Sequence, residues 1–157
     1  MKENAILVKY GEIFLKSEPV LRLYERKLRN NIEFFLRKNK IKYKISRKRG
    51  RIFIHTTQIK EACDCLSKIF GIVGLAPCYH LKTSSVKELQ KFVKENYKRW
   101  VKKNQTFAIR VKRVGKHPYS SQELANKLGK VIDRKVNLDN PSVEIWVEVR
   151  DNDTYIY

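Results

Sequence analysis

Apolar residues recur along this chain in two rhythms, a period of two that marks strands and a period near 3.6 that marks helices. Ala5–Tyr10 is a short apolar run of strand length. From Pro19 to Asn39, Leu21, Tyr24, Leu28, Ile32 and Phe35 fall on one helical face, with Ser17 in the capping position and Pro19 in the first turn. Ile41, Tyr43 and Ile45 alternate with Lys40, Lys42 and Lys44, which predicts a strand at Ile41–Ser46. After a turn at Arg49-Gly50, Ile52 and Ile54 place another strand at Arg51–His55. A helix over Ile59–Phe70 and a strand over Ile72–Leu81 complete the order βαββαβ. Pro77 has no N–H to donate, so that last strand is expected at an edge or interrupted. The order predicts an α+β, ferredoxin-like sandwich with two helices on one face of an antiparallel sheet and the other face open to a ligand.

The second half predicts a compact α/β module: helix Val86–Lys103, strand Thr106–Lys112, helix Ser121–Ile132, and strands at Lys135–Leu138, Val143–Arg150 and Thr154–Tyr157. Val86, Leu89, Val93, Tyr97, Trp100 and Val101 form the inward face of the first helix, and Ser85-x-x-Glu88 reads as its capping box. Val143, Ile145, Val147 and Val149 alternate with Glu144, Trp146, Glu148 and Arg150, the pattern of a half-exposed strand, and Asp151-Asn152-Asp153 is a hairpin turn. Two domains, 1–82 and 83–157, are expected to meet at the short break Lys82–Ser84. The last strand has only four residues before the chain stops, so the second domain is expected to be cut within it.

Charge turns this architecture into a polyanion binder. The chain holds 35 Lys and Arg against 16 Asp and Glu, a formal charge of +19 over 157 residues, more than solubility requires. Both halves share the excess, with 19 basic and 7 acidic residues up to Lys82 and 16 and 9 after it. Between Arg37 and Arg51 nine basic residues meet no acidic one. A disordered basic arm is the plain alternative, but the apolar alternation there favours a hairpin with one cationic face. Lys42, Lys44, Arg47, Lys48 and Arg49 are therefore candidate RNA contacts. No apolar run approaches a membrane span and no signal peptide or lipidation motif is visible, so a soluble, cytoplasmic protein without a membrane partner is expected.

The stretch Phe107–Ser121, FAIRVKRVGKHPYSS, sets an alternating strand against a cationic turn and a helix start. Phe107, Ile109 and Val111 occupy one side of the strand and Arg110 and Lys112 the other, with Arg113, Lys116 and His117 in the turn. Gly115 frees the backbone to bend. Ser120-x-x-Glu123 reads as a capping box, and a helix start presents N–H groups to an anion. A solvated basic turn is the bland alternative. Tyr119 is the candidate for stacking an unpaired base, although an aromatic beside Pro118 packs into its own domain as often. Ser120 and Ser121 serve as caps and can still offer an amide to phosphate.

The three cysteines, Cys63, Cys65 and Cys78, lack zinc spacing and a partnered base, so buried or incidental thiols are expected and no metal site. No Walker-type glycine loop occurs.

With these residues in view, a resemblance covers nearly the whole chain. ILVKYGEIFLKS from Ile6 to Ser17, followed by Arg22, Leu28, Asn31 and Ile32, resembles the N-terminal ferredoxin-like domain of tRNA 4-thiouridine synthases, the tRNA uracil 4-sulfurtransferases. Phe107, Arg110 to Arg113, Gly115 to His117, Ser120, Ser121 and Gly129 are similar to their THUMP domain, as are Val136, Leu138, Pro141, Val143 and Val147 to Val149. Val114 departs from the pattern, standing where a second basic residue is usual. The resemblance implies a tRNA-binding half that holds the acceptor stem and single-stranded 3′ end and places a uridine (position 8) in a catalytic domain. That domain, an ATP pyrophosphatase with a Ser-Gly-Gly-x-Asp-Ser loop, is missing from this sequence. ATP and magnesium are expected there and no cofactor on this chain. The resemblance also implies a sulfur donor such as a cysteine desulfurase, a homodimer, and a place in 4-thiouridine and thiamine biosynthesis. This chain is expected to bind RNA and not to thiolate it, the catalysis belonging to a parent protein or companion chain. The alternatives are a standalone THUMP adaptor presenting tRNA to another modifying enzyme, and a general basic RNA-binding protein.

Overall fold

A computed structural model of the chain describes residues 1–11, 17–48 and 51–157. Its elements run β1 (Ala5–Tyr10), α1 (Glu18–Lys38), β2 (Lys44–Lys48), β3 (Arg51–His55), α2 (Ile59–Leu66), β4 (Ile72–Leu81), α3 (Val86–Trp100), β5 (Thr106–Val114), α4 (Ser121–Gly129), β6 (Lys135–Val136), β7 (Val143–Arg150) and β8 (Asp153–Ile156). Arg49, the Arg49-Gly50 turn and residues 12–16 of the Ile6–Ser17 stretch lie outside the described residues. The chain divides into two units, Met1–Cys78 and Tyr79–Tyr157. The division falls inside β4 and not in the Lys82–Ser84 break, because Tyr79, His80 and Leu81 pair with β8.

The first unit has the expected ferredoxin-like topology. Its strands run β2-β3-β1-β4, all pairs antiparallel; β4 pairs with β8 only from Tyr79 on, so Pro77, opposite Ile6, lies outside that pairing and its missing N–H is tolerated. Alternation puts Ile6, Val8, Ile52 and Ile54 under the helices, where they meet Leu28, Ile32 and Leu36 of α1 and Ala62 and Leu66 of α2. Leu36 is the deeper residue and Phe35 only flanks the core. The opposite face is not the open ligand platform expected above, since Ala5, Leu7 and Phe53 on it are fully buried.

The expected strand start at Ile41 is also corrected. α1 ends in a left-handed cap: Lys40 takes φ 55°, its N–H reaches the Arg37 carbonyl at 3.0 Å, and the Ile41 N–H reaches Leu36 O at 3.0 Å. This is the Schellman arrangement, and it draws Ile41 into the core beside Leu36. The apolar residue that looked like a strand position closes a helix, and β2 begins only at Lys44.

In the second unit the end of β4 is followed by β8, β7, β5 and β6; β5 runs parallel to both neighbours, whereas β7–β8 and β4–β8 are antiparallel. Leu89 and Val93 of α3 and Leu124 and Leu128 of α4 pack on Phe107, Ile109, Ile145 and Val147. β5 continues two residues past Lys112 because it stays paired with β7 as far as Val114–Arg150. α2, α3 and α4 each stop short of their apolar periodicity. For α3, Val101 turns extended and is buried, and Arg134 Nε donates to the Val101 and Lys102 carbonyls at 3.2 Å.

The Ser85–Glu88 capping box does not form. Thr83 Oγ accepts the Ser85 N–H at 3.1 Å and donates to the Glu88 carboxylate. β7 is likewise not half-exposed along its length, for Glu148 and Arg150 are buried. Arg150 Nε binds Glu148 Oε2 at 3.1 Å, and the Tyr157 hydroxyl donates to Glu148 Oε1 at 2.8 Å, which satisfies both carboxylate oxygens. Among the described residues no helix is long and apolar enough to cross a membrane.

Leu36→Ala is expected to remove about 2–5 kcal/mol of unfolding free energy by leaving a cavity, and Phe35→Ala clearly less; urea denaturation with the order reversed would contradict this core. Lys40→Gly is expected to stabilise by about 0.5–1 kcal/mol by relieving the left-handed backbone, and a lower denaturation midpoint would count against the cap.

Candidate nucleic-acid interface

The basic turn between β5 and α4 is fastened to the β7–β8 hairpin. Gly115 takes φ +107°, and a Cβ there would stand 2.5 Å from Asp151 Oδ1 and 3.3 Å from the Asp151 backbone. Asp151 N–H donates to Val114 O at 2.9 Å, and His117 Nε2 meets Asp151 O at 2.7 Å. A carbonyl only accepts, so Nε2 carries the hydrogen. On the other side Arg113 Nη1 donates to His117 Nδ1 and to Gly115 O, both at 3.2 Å. The network thus selects the Nε2–H tautomer of a neutral imidazole.

The sequence-derived residues therefore divide by role. Arg113 lies in β5 and not in the turn; alternation puts it on the Val111 side, and its guanidinium braces His117 and Gly115. Tyr119 is packed into its own unit at 5% exposure, with its hydroxyl donating to Ser84 O at 2.7 Å and its ring stacked on His117 at 5.4 Å. Burial, first of all, pushes its phenol above the ordinary tyrosine range. The choice left open for Tyr119 falls to packing, because little of its ring is left for a base.

Ser120 caps α4 by accepting the Glu123 N–H at 3.1 Å. Ser121 opens the helix, whose first N–H groups have no partner within it. Lys112 and Lys116 are exposed. By alternation Arg110 and Lys112 leave β5 on the opposite sheet face from Phe107 and Ile109, so Lys112 does not converge with the α4 start as expected, whereas the Arg110 guanidinium reaches the groove that α4 lines. Lys112 Nζ sits 5.0 Å from the centre of the Trp146 ring. Arg110 donates to Leu138 O at 2.6 Å and lies 3.7 Å from Glu144.

Along α4 the second unit holds a groove of about 470 Å³. Phe107, Ala125 and Gly129 line it, Val136 and Leu138 are exposed along it, and Arg110, Gln122, Asn126 and Lys130 supply its polar groups. A Cβ on Gly129 would meet nothing within 4 Å, so space is open there. Sequence reasoning missed Gln122, Asn126 and Lys130. Their spacing of four along α4 is the signal that marks them as one polar stripe.

In the first unit the expected single cationic face is split. Lys44 and Lys48 alternate with Ile45 and Arg47 on β2, and Arg47 turns to the helix side, where it pairs with the buried carboxylate of Glu25. Tyr10 Oη donates to the same carboxylate at 2.9 Å. Burial, then that hydrogen bond and charge, raises the Tyr10 phenol far above its ordinary range. Lys42 is exposed on the segment before β2, held by its N–H to Gln58 Oε1 at 3.0 Å. The cysteines are free thiols, Cys65 and Cys78 buried and Cys63 partly so, and burial raises Cys63 and Cys65 above the usual thiol range. Among the described residues no three His, Cys, Asp or Glu side chains gather as a metal site.

Comparison with known proteins bears on both units. The model of the ThiI ferredoxin-like domain matches residues 5–76 and the THUMP domain model matches residues 83–157. A probable tRNA sulfurtransferase of Methanothermobacter thermautotrophicus is 39% identical over 98% of this chain and 40% of its own length. One from Methanosarcina acetivorans is 34% identical over 98% of this chain and 39% of its own length. The chain thus spans about two fifths of the length of the curated relatives it matches. Among solved structures, a Pyrococcus horikoshii protein superposes with a TM-score of 0.86 at 30% identity, covering 98% of this chain and 53% of its own. A 4-thiouridine synthetase solved with RNA and bound ATP superposes at 0.79 and 27% identity, covering 99% of this chain and 41% of its own.

Gly115→Ala is expected to cost more than about 1 kcal/mol, since the new methyl meets both a left-handed backbone and Asp151. Arg113→Gln is expected to lower the melting temperature as well, whereas Lys116→Gln leaves it unchanged; equal melting temperatures for all three would refute the bracing role of Arg113.

Proposed function

Because the chain joins a ThiI ferredoxin-like domain to a THUMP domain and so belongs to the tRNA sulfurtransferase family, we propose that it is the tRNA-binding part of a tRNA 4-thiouridine synthase. In this reading it grips the acceptor stem and the unpaired 3′ end and places the uridine at position 8 for thiolation. The observation that carries it is the pinned turn of the second unit, which presents exposed Lys116 and leads into α4, whose side lines an apolar-floored groove. Lysine neutralises phosphate without regard to sequence, so affinity here depends steeply on salt. Selectivity then comes from shape and from unpaired bases that leave the duplex. The groove offers apolar surface to a base face at exposed Val136 and Leu138 and hydrogen-bonding groups to its edge at Gln122 and Asn126.

ATP and magnesium, in the same reading, act in the part of the protein that the relatives' greater length accommodates. A sulfur donor such as a cysteine desulfurase and a second copy of the chain are its further partners, and the cytoplasm its location. The residues described above bind, orient and shield; the sulfur chemistry is assigned to none of them.

Binding of tRNA with an intact and a trimmed 3′ end, measured across a salt series, tests the assignment. Trimming is expected to weaken binding, and Gly129→Trp, which fills the groove without straining its backbone, is expected to abolish the difference. Lys116→Ala is expected to flatten the slope of log affinity against log salt by about 0.7–0.9, while Lys60→Ala, on exposed surface elsewhere, does little. Equal losses at Lys60 and Lys116, or indifference to trimming, would overturn the reading.

A further inference from the structure

Arg22, Arg26 and Arg29 follow one another at spacings of four and three along α1, so they share one helical face. Arg47 reaches the same place from β2. Together they border a pocket of about 230 Å³ with Glu25 in its wall and Ile45 in its lining. Glu25 is 4% exposed, and its charge is answered by Arg47, so the three helix arginines remain in excess. Arg22 pairs with Glu18 at 3.4 Å and Arg29 with Glu33 at 4.0 Å, both between exposed side chains of a kind that contributes little and yields readily to another anion. Arg26 has no ion pair among the described residues.

A guanidinium is a planar fork matched to phosphate oxygens, and several around one concavity select for that geometry as well as for charge. Glu25 holds Arg47 against the wall and acts as a positioning residue. The floor, partly isoleucine, lowers the local dielectric and strengthens each interaction. We propose that the arginine-lined pocket between α1 and β2 is a second phosphate site, occupied by the phosphodiester backbone of the same RNA that the second unit holds. This rests on reading the chain as an RNA binder and adds a grip on phosphate that none of the candidate residues of the β5–α4 turn supplies. The site takes the phosphodiester backbone, which every sequence and either form of the 3′ end presents alike, since the fork of each guanidinium matches phosphate oxygens.

The test uses the whole chain, with tRNA intact or trimmed at its 3′ end, over a potassium chloride series, and compares Arg26→Ala/Arg29→Ala with Arg26→Lys/Arg29→Lys. The alanine pair is expected to weaken binding of both RNAs by the same factor and to flatten the salt slope by about 0.7–0.9 for each phosphate that is no longer neutralised. The lysine pair is expected to keep the slope and lose only part of the affinity. Matching melting temperatures show that both variants fold. An alanine pair that binds like the parent while Lys116→Ala still weakens binding would overturn the proposal and leave the turn standing. The opposite pattern, a flattened slope from the arginine pair with Lys116→Ala and Gly129→Trp silent, would support this pocket and overturn the turn. A rise in melting temperature with inorganic phosphate that the alanine pair abolishes, without any change in RNA binding, would assign the pocket to free phosphate and overturn the proposal.

Discussion

The close approach of Gly115 to Asp151 is the constraint on which the candidate interface depends. No side chain fits between them, so the chain leaving β5 lies directly on the β7–β8 hairpin. Three hydrogen-bonding residues then hold the turn: Asp151 through its amide and carbonyl, His117 through both ring nitrogens, and Arg113 through its guanidinium. The direction in which α4 starts follows from that brace, and the groove beside α4 follows from the direction. A preorganised site loses less freedom when a ligand binds.

The cations of the molecule are of two kinds. Arg113, Arg110 and Arg47 are occupied by protein carbonyls, an imidazole or carboxylates and set positions. Lys112, Lys116, Lys42 and Lys44 stand exposed. Arginine's fork suits it to the first task and lysine's hydrated point charge to the second. Net charge describes the field that draws a polyanion in, but only the second kind of residue, with the helix arginines around Glu25, is available to meet it.

Much of the fold was legible because it rests on local rules. The βαββαβ order came from hydrophobic period and run length, the bounds of β1, β3, β4 and β7 match the sequence reading, and Ser120 caps α4 as its spacing predicts. The misreadings share a cause: a residue was assigned from the rhythm of its element when a specific partner that the rhythm does not record decided its role. Ile41 kept strand rhythm yet closes a helix against Leu36. Glu148 and Arg150 kept the polar rhythm of an exposed face, yet they neutralise each other in a buried pair. Ser85 and Glu88 had capping-box spacing, yet Thr83 took both bonds.

For the candidate site the division is sharper. Sequence alone determined that the protein is strongly basic, that two domains share the charge, and that Phe107–Ser121 sets a strand against a basic turn and a capped helix, because charge, hydrophobic period and cap chemistry are properties of residues and their near neighbours. Only the tertiary structure decided which of those cations are exposed, that Tyr119 is packed into its own unit, that a groove opens over Gly129, and that Arg22, Arg26 and Arg29 gather around a carboxylate shared with β2. Each of these joins segments far apart in the chain, and no period or spacing records what the far segment brings.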